Sequence, residues 1–332
     1  MKLTVYGSGS WGTALAQVLA DGGHEVTVYG VDASEIADLR EHRNRRYFGE
    51  LPIHPGIVAT TDVAAATRGA EGIVFAVPSR FLRDALETGK PYISPAALLV
   101  NAGKGFDWER NCRLSETIRE VLGERSVVSL IGPSHAEEVI ERMVTSVCAV
   151  CADAEAAKKA QTLFSRDYFR VYVNDDEVGA EYGAAIKNVI AIASGVLVGQ
   201  GYGDNAKAAL VTRGLLEMIR YGRAKGGRPE TYAGLTGLGD LVVTCFSVHS
   251  RNYRAGLEIG RRGEAESFLR ENKTTVEGVN ACRVIREDLR TLPFEMPIVE
   301  ALYGILFEEK SPDEAIRGLM CRPLKSEDGK AT

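Results

Sequence analysis

The stretch from Leu3 to Asp32, LTVYGSGSWGTALAQVLADGGHEVTVYGVD, constrains this chain more than any other. A β-branched run, Leu3 to Tyr6, leads into Gly7, Gly9 and Gly12 in G-x-G-x-x-G spacing. An amphipathic segment from Thr13 to about Leu19 follows, and then a second apolar run, Glu25 to Tyr29. Strand, glycine turn, helix, strand is the context in which this motif binds a dinucleotide. Gly7 turns the chain off the strand. Gly9 clears space for a pyrophosphate against backbone amides, and Gly12 lets the helix approach the sheet. The positive end of that helix faces the phosphates.

The pattern alternates strand and helix through residue 175. Helices are expected at Ala33–Glu41, at Arg113–Leu122, at Ala154–Leu163 and after a capping Ser79. Strands are expected at Gly72–Val77, Leu98–Asn101, Val127–Ile131, Val144–Cys151 and Phe169–Val173. The stretch His42–Pro55 reads as irregular and basic. From Asp176 on, only helical patterns recur: 177–197, 206–221, 252–261, 276–289, 297–307 and 311–320. The expected fold is α/β: a doubly wound Rossmann domain over residues 1–175, followed by an all-α domain over 176–332 that roofs the sheet's crevice.

The formal net charge of −5 argues against nucleic acid as a main partner. The first strand leaves no room for a signal peptide. The longest uncharged apolar stretch, Val189–Gly199, is too short to span a bilayer, so a cytoplasmic protein is expected. Six dispersed cysteines form no disulfide framework. Cys148 and Cys151, three apart in an expected strand, point to opposite faces and read as core thiols, so no metal site is expected.

Chemistry should sit where polar residues interrupt apolar elements. Lys104, between Gly103 and Gly105, follows a strand end, where a substrate would be met. Lys187, beside Asn188 in GAAIKNVIAIASG, should lose hydration, which lowers its pKa and suits it to proton transfer. Asp240 is the only charge in LTGLGDLVVTC; it serves either as a helix cap or as the partner of Lys187. Ser250, Arg251 and Asn252 open a helix, as an anion site or as a plain cap. Glu277 opens another helix, where it complements the dipole or bonds a cofactor hydroxyl.

In series, GSGSWGTALA (7–16), KG (104–105), GPSHAEE (132–138), KNVIAIASG (187–195), TRG (212–214), LTGLGDLVVTC (235–245), SRN (250–252) and VEG (276–278) resemble the NAD(P)-dependent glycerol-3-phosphate dehydrogenases, bacterial type, over essentially the whole chain. The resemblance implies reduction of dihydroxyacetone phosphate, a small phosphate ester, to sn-glycerol 3-phosphate with NAD(P)H, feeding phospholipid synthesis, in a homodimer. It implies Lys187 as acid/base, Lys104 binding substrate, and Asp240 and Thr244 completing the polar site. It puts Ser250, Arg251 and Asn252 on the phosphate, and Gly132 and Ser134 along the substrate side. Ser10, Trp11, Lys104, Ala136, Arg251 and Glu277 match family cofactor contacts. Where the family often carries Arg or His, this chain has Gly30-Val31-Asp32, and an acid favours a free ribose 2′-OH. Against that, Arg43, Arg45 or Arg46 is a candidate to reach a 2′-phosphate, so the choice of NADH or NADPH stays open. Two rivals stay open as well: a reductase of carboxylate substrates such as ketopantoate, and a non-catalytic dinucleotide sensor.

Overall fold

The computed structural model describes residues 1–324, 326 and 327. In chain order the first half runs β1 (Lys2–Tyr6), α1 (Ser10–Asp21), β2 (Glu25–Tyr29), α2 (Ala33–Arg40), α3 (Arg45–Phe48), β3 (Ile57–Thr60), α4 (Val63–Thr67), β4 (Gly72–Phe75) and α5 (Leu82–Gly89). It continues with β5 (Leu98–Asn101), α6 (Leu114–Leu122), β6 (Val127–Ile131), α7 (Ala136–Ile140), β7 (Thr145–Val150), α8 (Ala154–Phe164) and β8 (Phe169–Asn174). The eight strands form one sheet in the order β3-β2-β1-β4-β5-β6-β7-β8. All neighbours are parallel except β6 and β7. The order reverses beside β1, so the glycine turn after Tyr6 opens at the switch point where this architecture binds ligands.

β3 and α4 were not foreseen. Ile57–Thr60 is a short β-branched run that pairs with β2, and Asp62 caps α4 by accepting from Ala64 and Ala65 amides. Within the stretch expected to be irregular, Arg45–Phe48 forms the single turn α3. Ser79 does not cap a helix. It opens a 3-10 turn, and its hydroxyl is drawn away to Glu277 across the crevice. Cys148 and Cys151 are free, and they pack into different apolar clusters, as opposite faces require.

The second half contains α9 (Glu177–Gly199), α10 (Asp204–Ala224), α11 (Pro229–Tyr232), α12 (Asp240–Phe246), α13 (Arg251–Arg262), α14 (Glu266–Glu271), α15 (Glu277–Asp288), α16 (Pro297–Phe307) and α17 (Pro312–Met320). No strand occurs here among the described residues. α9 is the axis, with α10, α12, α13 and α15 packed around it. It is long and apolar enough to cross a membrane by length and composition, but 72% of its apolar window is buried inside the protein. Its contact with α13 is backbone to backbone. A Cβ on Gly195 would sit 2.1 Å from Tyr253 O, and one on Gly256 would sit 1.9 Å from Ile192 O. The first turn of α13 is therefore held rigidly against the middle of α9.

Two buried carboxylates fasten helices of this half. Glu181 on α9 accepts from Ser129 Oγ of β6 at 2.6 Å and from Ser115 Oγ of α6 at 3.0 Å, tying α9 to the sheet. Burial pushes its carboxyl above the usual range, against the pull of the Arg113 charge. Glu217 on α10 accepts the Ile298 and Val299 amides at 2.8 and 3.3 Å, capping α16 from another helix.

Candidate active site

Segments of both halves meet at the carboxyl edge of the sheet. The turn after β1 supplies Gly7 to Gly12. Gly7 has φ +119°, and a Cβ there would lie 2.7 Å from Ala76 O. A Cβ on Gly12 would sit 2.0 Å from Gly7 O, so only glycine lets α1 start this close to its strand. At Gly9 the nearest atom to such a Cβ is Tyr47 Oη at 3.7 Å, which leaves the backbone approachable. The first turn of α1, where Ser10 and Trp11 stand, has no side-chain cap and no acidic residue. Uncapped amides at a helix N-terminus, reached over a glycine without a side chain, fit a dinucleotide pyrophosphate. Trp11 Nε1 donates to Ala102 O at 3.2 Å, linking this turn to the loop that carries Lys104.

Lys104 lies just past β5. Its ammonium donates to Gly132 O, past the end of β6, at 2.9 Å and to Asp240 Oδ2 at 2.8 Å. Asp240 is the first residue of α12, directly after a π-helical turn over Leu235–Gly239. Such turns re-aim the side chain that follows them and recur at functional sites. Its carboxylate is 1% exposed, and its Oδ1 receives Lys187 Nζ at 2.5 Å. Lys187 Nζ also donates to Thr244 Oγ1 at 2.8 Å, one helical turn beyond Asp240. Of the two readings open for Asp240, the structure has the ion pair.

The electrostatics follow from two ammonium groups sharing one dry carboxylate. Burial pulls Lys187 down to about 7; Asp240 opposes this shift and the Lys104 charge adds to it. For Asp240, burial alone would raise the carboxyl, but Lys104 and then Lys187 hold it below the usual range. The cluster thus carries net positive charge with little water, which suits the stabilisation of a developing oxyanion. An ammonium has three protons, and Asp240 and Thr244 accept two of those on Lys187.

The helical half brings the other foreseen residues to the same crevice. Ser250 caps α13, its hydroxyl accepting the Tyr253 amide at 3.2 Å. Arg251, the first residue of α13, is exposed, and its charge is felt by both Tyr47 and Glu277. Asn252 is buried. Its amide donates to Asn188 Oδ1 and accepts from Gly278 N, both at 2.9 Å, joining α9, α13 and α15. Glu277 reaches across to the loop after β4, where Ser79 N donates to it at 3.0 Å and Ser79 Oγ donates as well. Burial raises the Glu277 carboxyl despite those bonds. Ser134 Oγ donates to Gly132 O at 3.0 Å, and Ala136 opens α7.

Asp32 stands past the end of β2 and caps α2, accepting from the Ser34 and Glu35 amides at 2.9 and 3.3 Å. Several neighbours had no sequence signal. Ser79 and Glu277 are 198 residues apart, and Trp108 Nε1 joins them by donating to Ser79 Oγ at 2.9 Å. His135 contacts Val243 O at 3.3 Å, bridging α7 and α12. Glu35, 9% exposed, collects Ser8 Oγ at 2.6 Å and Tyr47 Oη at 3.0 Å behind the glycine turn.

Comparison with known proteins places this geometry. Residues 2–157 match the family described as NAD-dependent glycerol-3-phosphate dehydrogenase N-terminus, and residues 176–317 match its C-terminus. The chain is 44% identical over 330 residues to the glycerol-3-phosphate dehydrogenase [NAD(P)+] of an Exiguobacterium species, covering 98% of this chain and 97% of that one. It is 45% identical over 330 residues to the enzyme of the same name from Geobacillus kaustophilus, covering 98% and 96%. The crystal structure of glycerol-3-phosphate dehydrogenase from Coxiella burnetii superposes with a TM-score of 0.90 at 33% identity, covering 96% of this chain and 98% of that one.

Proposed function

The chain belongs to the NAD-dependent glycerol-3-phosphate dehydrogenase family, and from that premise we propose that it interconverts dihydroxyacetone phosphate and sn-glycerol 3-phosphate with NAD(P)H. The observation that carries this reading is the dry Lys187–Asp240–Lys104 cluster at the carboxyl edge of the sheet.

When bound, a reduced nicotinamide supplies hydride to a carbonyl carbon. The chain's own residues do the rest. Lys187 holds the proton that the carbonyl oxygen needs as it becomes an alcohol, and takes it back in the oxidation. Its pKa near 7 lets it serve both directions near neutrality. Asp240 and Thr244 fix the Lys187 ammonium in place. Lys104 adds a second positive charge that polarises the carbonyl. Arg251, with Ser250 and Asn252 beside it, holds the substrate phosphate at the N-terminus of α13. Asn252 does so from a fixed position, since its amide is already bonded to two helices. Gly132 and Ser134 line the substrate side.

The glycine turn with Ser10 and Trp11, together with Asp32, Lys104, Ala136, Arg251 and Glu277, holds the dinucleotide. Residues 1–175 act as the dinucleotide-binding domain, and the helical part from 176 carries the proton donor and the phosphate clamp. The enzyme works as a cytoplasmic homodimer supplying glycerol 3-phosphate for phospholipid synthesis.

The test is a spectrophotometric assay with dihydroxyacetone phosphate and ketopantoate as competing ketones. Faster turnover of dihydroxyacetone phosphate is expected. Faster reduction of ketopantoate, or no turnover of either, overturns the assignment.

A further inference from the structure

Three observations meet at the far end of the dinucleotide crevice. First, Asp32 stands 20 residues after Gly12 and past the end of β2, where this architecture places the adenosine ribose. Its Oδ1 is spent on capping α2 and on Ser34 Oγ at 2.6 Å. Its Oδ2 is left facing Arg46 Nη1 at 3.5 Å. The Ser34 hydroxyl and the amides of Glu35 and Ser34 hold the carboxyl below its usual range, so it is ionised at neutral pH.

Second, Glu35 adds another carboxylate at the same place. Ser8, in the glycine turn, donates to Glu35 Oε2 at 2.6 Å, and Arg46 Nη1 lies 3.0 Å from Oε1. Gly30 fixes this arrangement, because a Cβ there would sit 2.3 Å from Ser8 Oγ. The end of β2 and the glycine turn are pressed together, with Glu35 behind them.

Third, the arginines of the following loop are matched to acids. Arg45 pairs with Asp38 at 2.7 Å, Glu41 at 2.9 Å and Glu50 at 3.0 Å. Arg43 pairs with Glu50 at 3.6 Å. Of these three arginines, Arg46 is the one that pairs with Asp32 and Glu35, at 3.5 and 3.0 Å.

On the reading that the chain is a dinucleotide-dependent dehydrogenase, we propose that the Asp32–Arg46–Glu35 cluster makes it select NADH over NADPH. A ribose 2′-hydroxyl can donate to Asp32 Oδ2. A 2′-phosphate brings nearly two negative charges to a point where Asp32 and Glu35 already outnumber Arg46. To accept it, Arg46 must leave both carboxylates, and the charge on Asp32 remains. Asp32 therefore excludes the phosphate, and Arg46 is the group that would bind it once Asp32 is neutralised.

The experiment is calorimetric binding of ADP and 2′,5′-ADP to the full-length protein, which reads the ribose site without turnover. Asp32→Asn is the informative variant, because asparagine caps a helix as well as aspartate while losing the charge. The wild type should bind ADP more tightly than 2′,5′-ADP, by about tenfold or more. Asp32→Asn should narrow that ratio by a similar factor, and Asp32→Asn combined with Arg46→Ala should lose the gain. Equal or tighter binding of 2′,5′-ADP by the wild type, or a ratio indifferent to Asp32→Asn, overturns the proposal. NADPH-driven reduction of dihydroxyacetone phosphate that outpaces the NADH reaction would overturn this selection while leaving the dehydrogenase reading intact. Failure to bind either nucleotide would sink both.

Discussion

Lys187 Nζ stands 2.5 Å from Asp240 Oδ1, and Lys104 Nζ stands 2.8 Å from Oδ2 of the same carboxylate. One lysine comes from the axial helix of the helical half and the other from a strand end of the sheet. The carboxylate between them is therefore a joint of the two halves as well as a charge partner. Buried ion pairs are costly unless their remaining valences are satisfied. Here Gly132 O and Thr244 Oγ1 accept two of the remaining lysine protons.

The pH dependence of the two directions should be opposite. Reduction requires the Lys187 ammonium, and oxidation requires its free amine. With Lys187 at about 7, kcat/KM for dihydroxyacetone phosphate should fall as pH rises through that value. For glycerol 3-phosphate, kcat/KM should rise over the same range. Steady-state profiles in both directions check this, and parallel profiles would argue against Lys187 as the titrating group.

Arg251→Ala should chiefly weaken the substrate. Loss of a charge-assisted clamp on a desolvated phosphate costs about 2 to 4 kcal/mol. Most of the loss should appear in KM for dihydroxyacetone phosphate. An unchanged KM would remove Arg251 from the clamp.

Glu217 gives a prediction about stability. Burial raises its folded pKa from 4.5 to about 7, although it caps α16. The native state keeps a proton that the unfolded chain releases, so this residue's contribution falls as pH climbs from 4.5 to 7. Glu217→Gln keeps an acceptor for the Ile298 amide and cannot ionise. Relative to wild type, the variant should gain stability between pH 5 and pH 8, by up to about 3 kcal/mol at one pKa unit per 1.4 kcal/mol. Thermal unfolding at the two pH values reads it. A constant difference would contradict the raised pKa.

Much of this was legible in the residues, for reasons that differ by element. β2, β5, β6 and α16 fall at the bounds that apolar runs set, because nothing nearby competes with their periodicity. β3 and α4 escaped, since four residues of sheet edge and one helical turn carry little pattern. Ser79 looked like a helix cap because serine before a helical run usually is one. Its partner, Glu277, is 198 residues away, and no local rule reaches that far. The same limit hid Glu35, His135 and Trp108. Lys187 and Asp240 were visible as isolated charges in apolar runs, and a buried charge demands a partner. Asn252 was visible only as a polar residue opening a helix. Its bonds to Asn188 and Gly278 depend on how closely α13 lies on α9, which the glycines at 195 and 256 permit.

The buried ammonium of Lys187 is the proton donor on which the proposed reaction depends. The most direct test of this role is single-turnover hydride transfer in Lys187→Ala, with NADH and dihydroxyacetone phosphate saturating, alongside the NADH dissociation constant. Hydride transfer should slow by about two to four orders of magnitude, the usual worth of a positioned acid/base group, while NADH affinity stays within about twofold. Transfer at the wild-type rate with NADH bound normally would contradict it.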